Sequence, residues 1–153
     1  MIRLGLDLHG VIDNDPEFFS KLSRFLLSKG HKVYIVTGRE KTLDLVKELK
    51  ACGMIGSKAL LDSYYTDILS ITTYQKKLGT PISYLDDRKS QPIMDPEIWN
   101  PTKAALCATA GIDIMVDDSP IYGKYFSEVK TSYLQYTPEV REFLKILFNY
   151  KED

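Results

Sequence analysis

At 153 residues, with 44% hydrophobic and 27% charged side chains, the chain is long enough for one folded domain with its own core, too short for two, and too apolar for intrinsic disorder. Basic residues number 20 against 21 acidic ones, a formal net charge of -1, which removes the global electrostatic case for nucleic acid or an anionic membrane as default partner. Cys52 and Cys107 are too few for a disulfide framework and lack zinc-ligand spacing, no apolar run approaches the roughly 20 residues of a membrane span, and no signal-peptide pattern opens the chain, so the expectation is a soluble, unprocessed protein of a reducing cytoplasm.

Short apolar runs alternate with longer stretches of helical spacing, the α/β pattern. Ile2, Leu4, Leu6 and Leu8 predict a first strand. Asp15-Pro16 then supplies an N-cap and a first helical residue, Phe18, Leu22, Phe25 and Leu26 form one apolar stripe, and Gly30 suits the left-handed position that ends a helix. Lys32 to Thr37 is the second strand. A second helix is expected from about Lys41 to Cys52, with Leu43, Val46 and Leu49 on one side and Gly53 closing it. Residues 54–66 are ambiguous. Ile68, Leu69 and Ile71 read as a buried strand, followed by a short helix from Thr72 to Leu78 closed by Gly79.

Pro81 to Leu85 and Pro92 to Met94 flank a polar stretch and predict a small β-hairpin insertion over about 81–95. A helix could begin at Asp95, but Pro101 inside it would cost about 3 kcal/mol, so the main helix is placed from Asn100 with Pro101 at its first position and Lys103 in its first turn. Gly111 ends that helix, and Ile112, Ile114 and Val116 lead a strand into Asp117-Asp118. A last strand near Val129 to Leu134 precedes Thr137-Pro138, which caps a helix carrying Val140, Phe143, Leu144, Leu147 and Phe148.

Polar groups stand where the apolar strands stop: Asp7 with His9, Thr37 with Gly38-Arg39, and Asp117-Asp118, with Lys103 at a helix start. In a parallel α/β sheet the carboxyl ends of the strands form the edge that binds ligands, so these groups can converge. Singly each has a plain structural reading: Thr37-Gly38 as a strand exit, Lys103 as a solvated lysine, Asp117-Asp118-Ser119-Pro120 as a helix start, Arg39 as the partner of a surface acid. Together, and in this order, they are harder to read that way.

In that order the residues resemble the haloacid dehalogenase-like (HAD) hydrolase superfamily, most of whose members are magnesium-dependent phosphatases. The likeness runs from Leu4 to Asp118: Leu6-Asp7-Leu8-His9-Gly10-Val11 stands for the first motif, Val33 to Thr37 for the second, Lys103 for the third and Ile114 to Asp118 for the fourth. It implies a single three-layer α/β/α Rossmann-like domain over residues 1–153 with a central, mostly parallel sheet. It also implies a phosphoric monoester hydrolase whose nucleophile, Asp7, becomes an aspartyl phosphate. Mg²⁺ would be held by Asp7, the backbone carbonyl of His9, Asp117 and Asp118, while Thr37, Gly38, Arg39 and Lys103 would meet the phosphate. Receiver domains use similar ingredients, but there the acidic pair comes early and the Lys late, the reverse of the order here.

His9 departs from the pattern, because phosphatases of this superfamily usually carry a second Asp there as general acid. Either its imidazole takes over proton transfer, or the chain is a weakened module that binds Mg²⁺ and phosphate without efficient turnover. Between Asp13 and Thr37 there is room for one helix only, so a nearly capless, open site is expected. The partner is a phosphorylated substrate, first a small molecule and less readily a nucleic-acid end. The hairpin with Tyr84 and Asp86-Asp87-Arg88 is the nearest specificity element, and Trp99 lies just beyond it.

Overall fold

A computed structural model describes residues 1–56, 63–86 and 91–152. The elements follow as β1 (Arg3–Leu6), α1 (Pro16–Ser28), β2 (Lys32–Thr37), α2 (Leu43–Ala51), β3 (Asp67–Ser70), α3 (Ile71–Lys77), β4 (Ser83–Tyr84), β5 (Pro92–Ile93), α4 (Pro96–Ala110), β6 (Ile114–Asp117), β7 (Ser132–Gln135) and α5 (Pro138–Leu147). The main sheet has the order β3-β2-β1-β6-β7, and every pair in it is parallel.

Alternation along the strands divides the core into two layers. Leu4, Leu6, Val33, Ile35 and Val116 point to one face, where they meet Phe18, Phe19, Leu22 and Leu26 of α1, Leu45 and Leu49 of α2, and Leu144 of α5. Tyr34, Val36 and Met115 point to the other, against Ala104 and Cys107 of α4 and Phe126. The result is the expected three-layer α/β/α, Rossmann-like architecture. Each fully buried Leu or Ile stabilises it by about 1.5–3 kcal/mol, so both faces of the sheet are fixed by apolar burial before any polar group is considered.

The chain leaves β1 toward β2 and β3 on one side and returns through β6 and β7 on the other. The strand order therefore reverses between β1 and β6, and ligands in such sheets bind in the crevice at that reversal, outside the carboxyl ends of the strands. Asp7 follows β1 directly and Asp117 ends β6.

Several boundaries differ from the sequence expectation. The main helix begins at Pro96, capped by the Asp95 carboxylate on the Glu97 N–H, and runs straight through Pro101. The Asp95 carbonyl accepts from Ile98 and Trp99, and the Thr102 hydroxyl donates to the Ile98 carbonyl at 2.5 Å. A well-anchored first turn thus outweighs the hydrogen bond that proline removes. Lys103 consequently lies at the start of the third turn, and it is buried instead of sitting at the helix start.

Leu43 is 68% exposed, and α2 buries Leu45 and Leu49 instead, the pair four residues apart. On α5, Phe143 and Leu147 are exposed while Leu144 is buried. Ile71 opens α3 instead of ending β3, because the Ser70 hydroxyl caps the Thr73 N–H. Val129 precedes β7, which starts at Ser132.

The hairpin expected over 81–95 is the antiparallel pair β4–β5, with Ser83 opposite Ile93 and Tyr84 opposite Pro92. Its tip, including Asp87 and Arg88, lies outside the described residues, as does much of the ambiguous stretch 54–66. Among the described residues no helix is long and apolar enough to cross a membrane.

Candidate active site

Asp7, Lys103 and Asp117 form the floor. β1 delivers Asp7 in extended conformation, and its N–H donates to the Val116 carbonyl at 3.0 Å, which ties it to β6. The chain then turns sharply through His9 and Gly10. Gly10 has φ +87°, and a Cβ there would stand 2.0 Å from Asp118 Oδ2, so only glycine lets this turn approach the acidic pair. The Asp13 carboxylate accepts from the Gly10 N–H at 2.7 Å and fixes the turn.

Lys103 Nζ lies 2.5 Å from Asp117 Oδ2 and 3.2 Å from Asp7 Oδ1. All three side chains are buried. Burial raises the Asp7 carboxyl to about 7, with the neighbouring Asp117 and Asp118 adding to the rise and Lys103 opposing it. Burial also works against the Lys103 charge, but Asp7 and Asp117 outweigh it and hold the ammonium above its ordinary value. Desolvation and Asp117 raise Asp118 in the same way.

Asp7, Asp117 and Asp118 each offer an oxygen, all within 4.8 Å of one another. Three carboxylates facing one ammonium leave about two negative charges in excess, and carboxylate oxygens are the hard donors that Mg²⁺ prefers. The donor set therefore fits a divalent hard cation. Asp117 Oδ1 also accepts the Ser119 N–H at 3.0 Å, which orients that carboxylate.

Thr37 ends β2, buried, and its hydroxyl oxygen accepts the Arg39 N–H at 3.2 Å, which leaves its own hydrogen free to donate. The next carbonyl, of Gly38, accepts the Thr72 N–H at 3.3 Å and the Thr72 hydroxyl at 2.5 Å. The Ser70 hydroxyl donates to the Arg39 carbonyl. The start of α3 thus fastens the loop that follows β2.

Around this floor the structure gathers Gly38, Arg39, His9 and Asp118 into one cleft of about 370 Å³, so the catalytic, phosphate-binding and metal candidates from the sequence are all brought together. It also shows three participants that the sequence did not mark as such. Glu48 of α2 lies 2.6 Å from His9 Nε2 and pairs with the Arg39 guanidinium, so Arg39 is held by an acid while it lines the cleft. Burial and Arg39 hold the His9 imidazole below its ordinary value. Trp99 and Tyr122 line the same cleft. Of the hairpin, Pro92 reaches the cleft and Tyr84 does not line it.

The only local hint of Glu48 is a charged residue flanking the buried Leu45/Leu49 pair. In the sequence Trp99 lies just beyond the hairpin with nothing to mark its role, and Tyr122 is one of ten tyrosines.

No protein-family model and no curated protein sequence matches the chain. Among solved structures it is similar to an uncharacterized protein from Corynebacterium glutamicum, with TM-score 0.58 and 18% identity over 100% of this chain and 98% of that one. A HAD family enzyme from Bacteroides thetaiotaomicron, solved with magnesium and inorganic phosphate, aligns at TM-score 0.41 and 17% identity, over 76% of this chain and 51% of that one. The first likeness shows the fold alone.

Proposed function

We propose that this chain is a HAD-like, magnesium-dependent phosphoric monoester hydrolase acting through Asp7 on a phosphorylated small molecule. One observation carries this: a buried lysine bridges two buried aspartates at the strand-order reversal, with a third carboxylate beside them and the Thr37 hydroxyl on the same cleft. A structural salt bridge needs one acid per base. An excess of carboxylate at a cleft floor is costly unless a cation and an anionic substrate complete it.

Asp7, Asp117 and Asp118, with the His9 carbonyl that the resemblance implies, would hold Mg²⁺, which when bound supplies charge that offsets repulsion between carboxylate and phosphate. An Asp7 carboxylate oxygen attacks phosphorus, the bond from phosphorus to the ester oxygen breaks, and that oxygen leaves with a proton as the alcohol. Water then attacks the aspartyl phosphate, which releases inorganic phosphate and restores the carboxylate. Lys103 balances charge on Asp7 and on the phosphoryl group, and Thr37 donates its hydroxyl to a phosphoryl oxygen. His9 lines the cleft at the position of the usual second acid, and Glu48 holds its ring, which supports a role for it in moving the proton in both steps.

Mg²⁺-dependent phosphate release by the wild type and by Asp7→Asn, over aryl phosphates, sugar phosphates, nucleotides, phosphopeptides and phosphorylated oligonucleotides, tests this. Release by the wild type alone supports the nucleophile. No release from any of them, with Mg²⁺-dependent binding of inorganic phosphate intact, moves the assignment to a binding module without turnover. His9→Gln should shift the pH profile of turnover, and an unchanged profile removes its proton-transfer role.

A further inference from the structure

Beside the same floor stands a wall that the chemistry of Asp7 does not by itself require. Trp99, from the first turn of α4, lies directly on Gly38: a Cβ at that position would fall 2.4 Å from Trp99 Cζ2 and 2.6 Å from Cη2. Glycine at position 38 therefore does more than turn the chain after β2. It admits an indole ring into contact with the loop that would hold the phosphate.

The indole N–H donates to the Tyr122 hydroxyl at 2.8 Å, which fixes the two rings relative to each other. The Tyr122 ring centre in turn lies 5.1 Å from Lys103 Nζ, at cation–π distance. Trp99, Tyr122 and Pro92 line the same cleft as Asp7, so an aromatic wall stands beside a charged floor.

We propose that Trp99 and Tyr122 form a stacking platform. It selects phosphate monoesters whose leaving group carries a flat aromatic ring, borne directly on the phosphoryl oxygen or one carbon away. This rests on the phosphatase assignment of the same site and names its substrate class. The indole N–H is already engaged by Tyr122, so Trp99 itself offers ring surface and no free donor, and ring surface recognises ring surface. The platform abuts Gly38 and Lys103, the groups nearest the phosphoryl position, so it reaches the atoms next to the ester oxygen. A nucleobase, held off by a whole sugar, would lie beyond it. The floor carries excess carboxylate, which disfavours an anionic leaving group and suits a neutral ring. The cleft, at about 370 Å³, has room for one such molecule.

Trp99 is the only tryptophan in the chain, so its fluorescence reports on the platform directly. Binding is measured instead of turnover, because a phenolate leaves readily whatever the wall does. With Mg²⁺ present, the wild type is titrated with inorganic phosphate, ethylphosphonate, benzylphosphonate and adenosine 5′-monophosphate, by calorimetry and by Trp99 emission.

Benzylphosphonate should bind on the order of tenfold more tightly than ethylphosphonate and change the emission more. That ratio, taken within each variant, should fall toward one in Trp99→Leu and survive largely in Trp99→Phe. Equal affinities for the two phosphonates in the wild type overturn the platform, and that result stands even if Trp99→Leu does not fold. A preference that persists undiminished in folded Trp99→Leu overturns it too. Tighter binding of adenosine 5′-monophosphate than of benzylphosphonate overturns the placement of the ring next to the ester oxygen. Failure of inorganic phosphate to bind, together with no turnover of any ester, overturns the phosphatase assignment itself. Phosphate binding without ring discrimination overturns only the platform.

Discussion

The floor and the rim of the cleft are both built from paired ionisable side chains, and they differ in what separating those partners costs. On the floor, Lys103, Asp7 and Asp117 are almost without solvent, so each charge depends on its neighbours. On the rim, His9 and Glu48 have side chains 46% and 35% exposed, and water can replace either partner of the other. A buried network is expensive to break because the group left behind cannot rehydrate, whereas an exposed pair is worth roughly 0–1 kcal/mol. The floor therefore behaves as one unit, and the rim as adjustable contacts around it.

The sharpest way to break this contrast is Lys103→Met, which leaves three neighbouring carboxylates without their cation. Metal-free protein should lose about 3–5 kcal/mol of stability in urea unfolding, and turnover should vanish. A loss within 1 kcal/mol would place the floor in the same category as the rim.

Asp7 adds a pH dependence to the floor. Its folded pKa of about 7 lies well above its ordinary value of 3.8. The folded state thus holds this proton more tightly than the unfolded chain does, so the stabilisation is full below about pH 4 and is lost as pH rises through 7. In a chelator, stability should fall by up to about 2.6 kcal/mol between pH 5 and 8, and the melting temperature with it. Asp7→Asn should flatten that part of the curve, and Mg²⁺ should recover the wild type at pH 8. Calorimetry across pH, with and without Mg²⁺, checks both.

Gly10→Ala probes the junction between the two regions. Its Cβ would drive into Asp118 at a positive φ, so a cost of about 1–3 kcal/mol and weaker Mg²⁺ binding by titration calorimetry are expected. The smallest effect belongs to Glu48→Gln on the rim. Stability should change by less than about 1 kcal/mol, while the pH profile of turnover shifts because His9 has lost its carboxylate partner. A large stability loss there would join rim to floor.

What was legible in the sequence is what local physics writes. Alternating apolar residues announced the strands, Asp15-Pro16 and Thr137-Pro138 announced helix starts that the structure keeps, and Gly30 ends α1 with a positive φ. Asp7, Thr37 and Asp117 were visible because a parallel sheet brings its strand ends to one edge, whatever the details. The helix through Pro101 was misjudged because the proline penalty is local, whereas the anchoring of Asp95 and the burial of Ala104 and Cys107 that outweigh it belong to the folded molecule.

By itself, then, the sequence determined the α/β class, the order of its elements and the polar residues at the strand ends, because periodicity, caps and turn residues act over a few neighbours. Only the tertiary structure decided that Lys103 is buried between two aspartates, that Glu48 reaches His9 across 39 positions, and that Trp99 lies on Gly38 with its N–H on Tyr122. Those pairings depend on strand order and on how each helix docks against the sheet, and no short-range pattern encodes a contact between residues that only the crossover connections bring together.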